Sequence, residues 1–330
     1  MRVKAVDQLE GEVDMAASLS SREHIHLKNI LVPTDFSAAA DNALSYGVAL
    51  ARQFEATLWL VHVVEPQTFF TGLEGVPIPP LDIGEETARA KELMAEFSKN
   101  VPANVALRSL VRYGPVMGEI SALAKEENLD LVIVSTHGRS GLDRALFGSM
   151  AERIVHHAPC PILVVREREH DFVQDSSIPQ VGTTIRLNRI LAPLDFSDCA
   201  KKVVRYAEAF ARKFNAGIVC VHVLESEKPP IAVDMEAFYD GHRIEAEKKM
   251  AAQLREIEVS VQVEGAIKFG KVHPQIVEMA EGRQVDLIIL GERRRSGIGR
   301  FLLGSTTDQV IRHAPCPVLV VREVEHEFVE

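Results

Sequence analysis

Two stretches of this 330-residue chain carry the residue types that cradle phosphate: Ser135 to Ser149 (STHGRSGLDRALFGS) and Gly291 to Ser305 (GERRRSGIGRFLLGS). Each follows an apolar run that reads as a strand, and each closes on Gly-Ser where a helical period begins. Glycine admits close backbone approach, and a serine at a helix start can cap the helix and donate to a phosphate oxygen. The helix start also offers backbone N–H groups to an anion. His137 is a candidate phosphate contact in the first stretch. The second has Arg293 there, and Arg293, Arg294, Arg295 and Arg300 together would attract a polyphosphate. Because the two copies differ at this place, no shared catalytic role follows.

These stretches belong to a doubled chain. His157 to Glu167 (HAPCPILVVRE) returns as His313 to Glu323 (HAPCPVLVVRE), and Ile30 to Ser37 (ILVPTDFS) returns as Ile190 to Ser197 (ILAPLDFS). Partners are 160 residues apart at Asp35/Asp195 and His62/His222, and 156 apart at Gly148/Gly304 and Cys160/Cys316. A unit of about 150 residues is a domain rather than a solenoid repeat. The expected organisation is a polar tail over 1–27, a domain over 28–173, a linker over 174–186 rich in Ser, Pro and Gly, and a second domain over 187–330.

Each unit alternates strands with helices. In the first, Ile30 to Val32 leads through Pro33-Thr34-Asp35 into a helix with Ala40, Ala43, Leu44, Val48, Ala51 and Phe54 at helical spacing and Ser37 as N-cap. Further strands are expected at 57–64, 105–111, 129–134 and 161–165, with helices at 84–99, 116–127 and 148–157. The second unit repeats the order, with strands near 189–193, 217–224, 259–267, 286–290 and 317–321. Near-continuous apolar strands alternating with helices predict a mainly parallel, doubly wound five-stranded sheet covered on both faces, once per domain. Ligands of such sheets bind outside the carboxyl ends of the strands.

Composition narrows the partners. A hydrophobic content of 46% over this length supplies a core for each unit. The net charge, 37 minus 47 or −10, argues against a nucleic acid or an anionic membrane as partner. No apolar run approaches the ~20 residues of a membrane span, the N-terminus lacks the apolar core of a signal peptide, and the four cysteines lack metal spacing. The expectation is a cytoplasmic protein with reduced thiols.

With the PTDFS turn, the His-Val pair ending the second strand, the HAPCPxLVV strand and the Gly-rich loops in view, the chain resembles the universal stress protein family in its tandem-domain form, over about 290 residues. The family's nucleotide motif is Gly, two residues, Gly, nine residues, Gly, then Ser or Thr. Ser135 stands at the first glycine of the first copy, where Gly138, Gly148 and Ser149 match. In the second copy Gly291, Gly304 and Ser305 match, but Arg294 replaces the second glycine. The resemblance implies an adenine nucleotide alpha hydrolase-like fold and binding of ATP, with or without Mg2+, or of a related adenine nucleotide. It places Asp35 and Val63, and likewise Asp195 and Val223, near adenine and ribose, with the glycine loops on the phosphates. Backbone fit favours the first domain over the second. It also implies pairing of the two domains through the fifth strands, Ile162 to Val165 against Val318 to Val321, as an internal pseudo-dimer, and signalling through protein partners. A further homodimer stays open.

Plainer roles stand beside these. Asp35 and Asp195 could serve only to fix the turn, His62 and His222 read as satisfied core histidines, and Cys160 and Cys316 read as packing residues. Cys199 and Cys220, opposite Ala39 and Leu60, look incidental. The doubled extension His-acid-Phe-Val around Phe172 and Phe328 is expected to pack on the opposite domain. The functional alternatives are a nucleotide-free interaction scaffold and a slow ATP hydrolase, the latter lacking a Walker A lysine or any identifiable water-positioning base.

Overall fold

The computed structural model describes residues 25–65, 83–136, 149–165, 171–175, 183–225, 235–292 and 306–329. In the first half β1 (Asn29–Pro33), α1 (Ala38–Phe54), β2 (Thr57–Val64), α2 (Ile83–Ser98), β3 (Leu107–Tyr113), α3 (Val116–Glu126), β4 (Leu131–Ser135), α4 (Ser149–His157) and β5 (Ile162–Val165) follow one another. A hairpin of β6 (Val173–Asp175) and β7 (Thr183–Ile185) comes next. The second half runs β8 (Arg189–Pro193), α5 (Asp198–Phe214), β9 (Gly217–Leu224), α6 (Met235–Leu254), β10 (Val263–Phe269), α7 (Val272–Gly282), β11 (Leu287–Glu292), α8 (Thr306–His313) and β12 (Val318–Arg322).

The first helix of each half shows why the local sequence folds as it does. Ser37 Oγ accepts from Ala40 N and Ser197 Oγ from Ala200 N, each at 3.3 Å, so both serines cap as their position requires. The helices stop at Glu55 and Asn215, which take left-handed conformations at φ 54° and 55°. Between these ends Ala40, Ala43, Leu44, Val48 and Ala51 are buried. Gly47 lets α1 approach the sheet, because a Cβ there would lie 2.8 Å from Val32 Cγ2 and 3.0 Å from Leu58 Cδ1.

All ten main strands join one sheet in the order β10-β9-β8-β11-β12-β5-β4-β1-β2-β3. Numbered within its own half, each set of five reads 3-2-1-4-5. The first and fourth strands are therefore neighbours whose connections leave in opposite directions, which is the topological switch point of a doubly wound sheet. Pairing is parallel within each half. At the centre β5 meets β12 antiparallel, with Ile162, Leu163 and Val164 opposite Val320, Leu319 and Val318. Every residue of these two strands is buried, so two edges that would otherwise invite foreign strands close on each other. One core, under α1, α2, α5 and α6, lines one face; a second, under α3, α4, α7 and α8, lines the other.

Three expectations change. The third strands begin at Leu107 and Val263, later than the apolar residues before them suggest, because Val105 and Val261 are buried inside turns, their N–H groups donating to Pro102 O and Glu258 O. Both ends of the segment expected as a linker pair as strands, with Gln174 opposite Thr184 and Asp175 opposite Thr183. The phenylalanines of the two extensions pack on their own halves. Phe172 meets the Tyr46 ring of α1 edge-on at 5.0 Å, and Phe328 meets Tyr206 of α5 at 5.0 Å. The fifth strand lies under the first helix of its own half, so a short extension reaches that helix first. What crosses to the other half is the polar and backbone part of the second extension: His326 N donates to Pro159 O, and Val329 bridges to Ile25. No helix among the described residues is long and apolar enough to cross a membrane.

Candidate functional site

At the carboxyl end of β1 the backbone turns sharply into α1, and Phe36 adopts φ 61°. For a bulky residue this costs on the order of 1–3 kcal/mol, and the surroundings must hold it there. Thr34 Oγ1 accepts from Phe36 N at 3.0 Å, Asp35 Oδ1 accepts from Ser37 N at 3.0 Å, and the Phe36 ring stacks on His62 at 4.5 Å. His62 Nδ1 lies 2.8 Å from the carbonyl of Thr34, so that nitrogen carries the proton and donates. The second half repeats the device. Phe196 has φ 59° and its ring lies tilted against His222 at 4.2 Å, His222 Nδ1 donates to Leu194 O at 2.7 Å, and Asp195 Oδ1 accepts from Ser197 N at 3.0 Å. The histidines thus anchor the turns, and Asp35 and Asp195 fix the turns while lying exposed at the sheet's carboxyl edge.

Val63 and Val223 are half-buried near the ends of β2 and β9, packed against the core under α3, α4, α7 and α8. Ser135 ends β4. One residue on, Thr136 N donates to Val165 O at 3.0 Å, and the residue is only 4% exposed. Its hydroxyl oxygen has no hydrogen-bond partner among the described residues. Strand alternation puts Thr136 on the face of Val132 and Val134, which is also the face of Val63. A buried, unsatisfied hydroxyl costs about 1–3 kcal/mol, which a bound polar group would recover.

The second half differs at both positions. Gly291 replaces Ser135 because a Cβ there would sit 2.9 Å from Cys199 Sγ and 3.3 Å from Val203 Cγ2. The counterpart of Cys199 is Ala39, so the small-for-large exchange on the strand is matched by the reverse exchange on the helix. Cys199 is therefore a packing residue tied to the loop's first glycine, and burial pushes its thiol up to about 11. Glu292 replaces Thr136. Its Oε2 accepts from Arg322 Nε at 2.7 Å, and its Oε1 lies 2.9 Å from Nδ1 of His156, a residue of the first half.

Around that carboxylate lies a buried charge network across the seam. Arg322 is 1% exposed, and its guanidinium also donates to Ala158 O of the first half at 2.8 Å. His156 Nε2 lies 3.1 Å from Asp308 Oδ1. Bonds to Asp308 and Glu292 push His156 up to about 10, so it is an imidazolium at neutral pH. Burial opposes ionisation of Glu292, but the His156 bond and the Arg322 charge outweigh it and hold its carboxyl below the usual range. For Glu325 the balance reverses: burial pushes it up to about 7 although Arg322 is near. His326 Nε2 adds a 2.7 Å contact to Asp130, whose other oxygen accepts from Lys28 N and Asn29 N. A cleft of about 510 Å³ is lined by Asp198, Lys201, Lys202 and Arg205 of α5 together with Glu323 and Glu327. Its Lys202 is consumed by Arg322 O, Glu323 O and Glu327.

Of the residues singled out in the sequence, Asp35, Val63 and Ser135 are brought to the carboxyl ends of β1, β2 and β4, and Asp195, Val223 and Gly291 to the same places in the second half. His137, Gly138, Gly148, Arg294, Gly304 and Ser305 lie outside the described residues. Ser149 opens α4, its side chain likewise outside the description. Thr136, Glu292, His156 and Arg322 were not singled out by sequence reasoning. The available signal was the Thr136/Glu292 difference, one of four consecutive mismatches between 135–138 and 291–294.

Comparison with known proteins agrees with this architecture. The Universal stress protein family model matches residues 26–166 and again 186–322. The chain is 26% identical over 306 residues to a universal stress protein of Mycolicibacterium smegmatis, covering 89% of this chain and 96% of that protein. It is 31% identical over 149 residues to one from Methanocaldococcus jannaschii, 42% of this chain and 82% of that protein. Among solved structures, a universal stress protein from Archaeoglobus fulgidus superposes with a TM-score of 0.63 at 22% identity, covering 89% of this chain and 98% of that one. That likeness concerns the fold.

Proposed function

The chain belongs to the universal stress protein family, as two family domains in tandem, and from that premise we propose that it is a cytoplasmic stress-response regulator that binds ATP or a related adenine nucleotide and signals through protein partners. The observation that carries the reading is the switch point of the first half. There an exposed Asp35 sits on a strained, well-braced turn after β1, and the neighbouring β4 ends in a buried Thr136 whose hydroxyl has no partner among the described residues. Such a group fits a ligand with polar edges, as adenine, ribose and phosphate provide. Asp35 and Val63 would meet base and ribose, with Ser135 and Thr136 beside them. Gly138, Gly148 and Ser149, by their motif, would meet the phosphates. A regulator of this kind needs two states that the nucleotide distinguishes.

The test is direct. Purified protein is denatured and the supernatant assayed for adenine nucleotide, then native protein is melted with and without ATP. Bound nucleotide, or a rise in Tm with ATP that Asp35→Ala removes, is the expected result. No bound nucleotide and no shift would leave the scaffold role, and turnover above a heat-killed control would favour the hydrolase.

A further inference from the structure

The strand-four ends of the two halves face different jobs. Thr136 and Glu292 are equivalent by position and by strand face, each one residue past the loop's first motif position. Thr136 is nine-tenths buried and its hydroxyl lacks a partner among the described residues. Glu292 has both oxygens engaged, one by Arg322 of its own half and one by His156 of the other. His156 bridges Glu292 to Asp308, so one side chain of the first half holds both the end of β11 and the first turn of α8. The reciprocal contact is looser: Arg312, the counterpart of His156, reaches Glu152 only at 3.9 Å.

We infer that the halves divide two roles, the strand-four end of the first taking the nucleotide through Thr136, and that of the second, through Glu292 held by Arg322 and His156, clamping the halves together in place of a ligand contact. The inference rests on the proposed adenine-nucleotide binding for its first role and on the seam geometry alone for its second. A carboxylate at the second position sets negative charge where a phosphate or a ribose oxygen would have to lie, and releasing it to solvent or ligand would strand the buried Arg322 guanidinium. Ligand entry there competes with the seam; in the first half it satisfies a hydroxyl that the fold leaves over.

The full chain is titrated with ATP by calorimetry, and its melting is followed separately without nucleotide. The expected stoichiometry is one ATP per chain. Asp35→Ala should abolish binding altogether, where two equivalent sites would leave half. Thr136→Val, nearly isosteric, should weaken binding about tenfold, the worth of one hydrogen bond, without lowering the Tm. Glu292→Gln should lower the Tm by several degrees with no ATP present. Glu292→Thr keeps that loss, which excludes a mere effect of the amide. Two ATP per chain in the wild type would overturn the division while leaving nucleotide binding standing. An unchanged Tm in both Glu292 variants would overturn the clamp. Absence of any ATP binding would overturn the role given to Thr136 and, with it, the nucleotide reading.

Discussion

The two halves share strand order, a strained turn braced by a histidine, and a tyrosine–phenylalanine contact between first helix and extension, yet their packing parts at the end of the fourth strand. In the first half that point reads Ser135-Thr136 opposite Ala39; in the second it reads Gly291-Glu292 opposite Cys199. The first member of each pair belongs to packing: where the strand has a side chain the helix is small, and where the strand has none a thiol fills the space. The second member belongs to the seam. A duplicated domain can therefore keep its scaffold while one copy's fourth-strand end is tied to the join between copies.

The largest way to break the comparison is to remove the centre of the clamp. Arg322→Ala leaves Glu292 with His156 alone and takes the guanidinium away from the buried Glu325, and its expected cost is about 3–5 kcal/mol in urea unfolding. Arg112 in the first half also holds a carboxylate, Glu126, at 2.7 Å, but this pair is on the surface. Arg112→Ala should cost only about 0–1 kcal/mol. Equal losses at the two arginines would show that the seam network has no special weight.

Most of the architecture was legible because it depends on periodicity and repetition. The β-strand runs, the Ser37 cap and the helix faces follow from spacing, and the β5–β12 contact is where the doubled HAPCP strands lie. Strand starts at Leu107 and Val263 were not legible, since Val105 and Val261 are apolar for the sake of a buried turn rather than a strand. The direction taken by Phe172 and Phe328 was not legible either: a repeated pattern says that an aromatic docks, but which surface it meets depends on chain path after the fifth strand. At the candidate site, Asp35, Val63 and Ser135 came from the family resemblance, and the structure brings them to the ends of neighbouring strands. Thr136, Glu292, His156 and Arg322 were not legible, because their roles come from burial and from contacts distant in sequence, 30 positions between Arg322 and Glu292 and 136 between Glu292 and His156, neither of which a single copy of the motif records.

A middle-sized effect tests the packing exchange. Gly291→Ser gives the second half the residue of the first and drives a Cβ against Cys199 Sγ at 2.9 Å. The expected loss is about 1–3 kcal/mol by denaturant melt. Cys199→Ala, which restores the first half's partner, should recover much of it, so the double-mutant cycle should show a coupling of about 0.5–3 kcal/mol. Additive losses would mean that the two positions differ between the halves for unrelated reasons.

The smallest expected effect is on the pH dependence of the seam, and its sign is fixed by two groups. Glu325 rises from 4.5 to about 7 in the folded chain and His156 from 6.5 to about 10. Each folded pKa lies above its unfolded value, so each contribution is complete below the unfolded pKa and is lost as pH rises through the folded one. Glu325 acts over pH 4.5 to 7 by becoming a buried anion; His156 acts over 6.5 to 10 by losing the cation that joins Glu292 to Asp308. Carboxylates elsewhere impose their own slopes, so the informative quantity is the difference from wild type. His156→Gln should melt lower than wild type near pH 7 and converge on it near pH 10, the gap being about 2–4 °C for each ~1 kcal/mol lost. Glu325→Gln should lose the decline between pH 5 and 7 and leave the alkaline limb unchanged. The second half supplies the control, since Arg312 occupies the place of His156 and carries a guanidinium instead of an imidazole. Arg312→Gln should lower the Tm by a similar amount at every pH, and a convergence near pH 10 there too would assign the alkaline limb to some group other than His156.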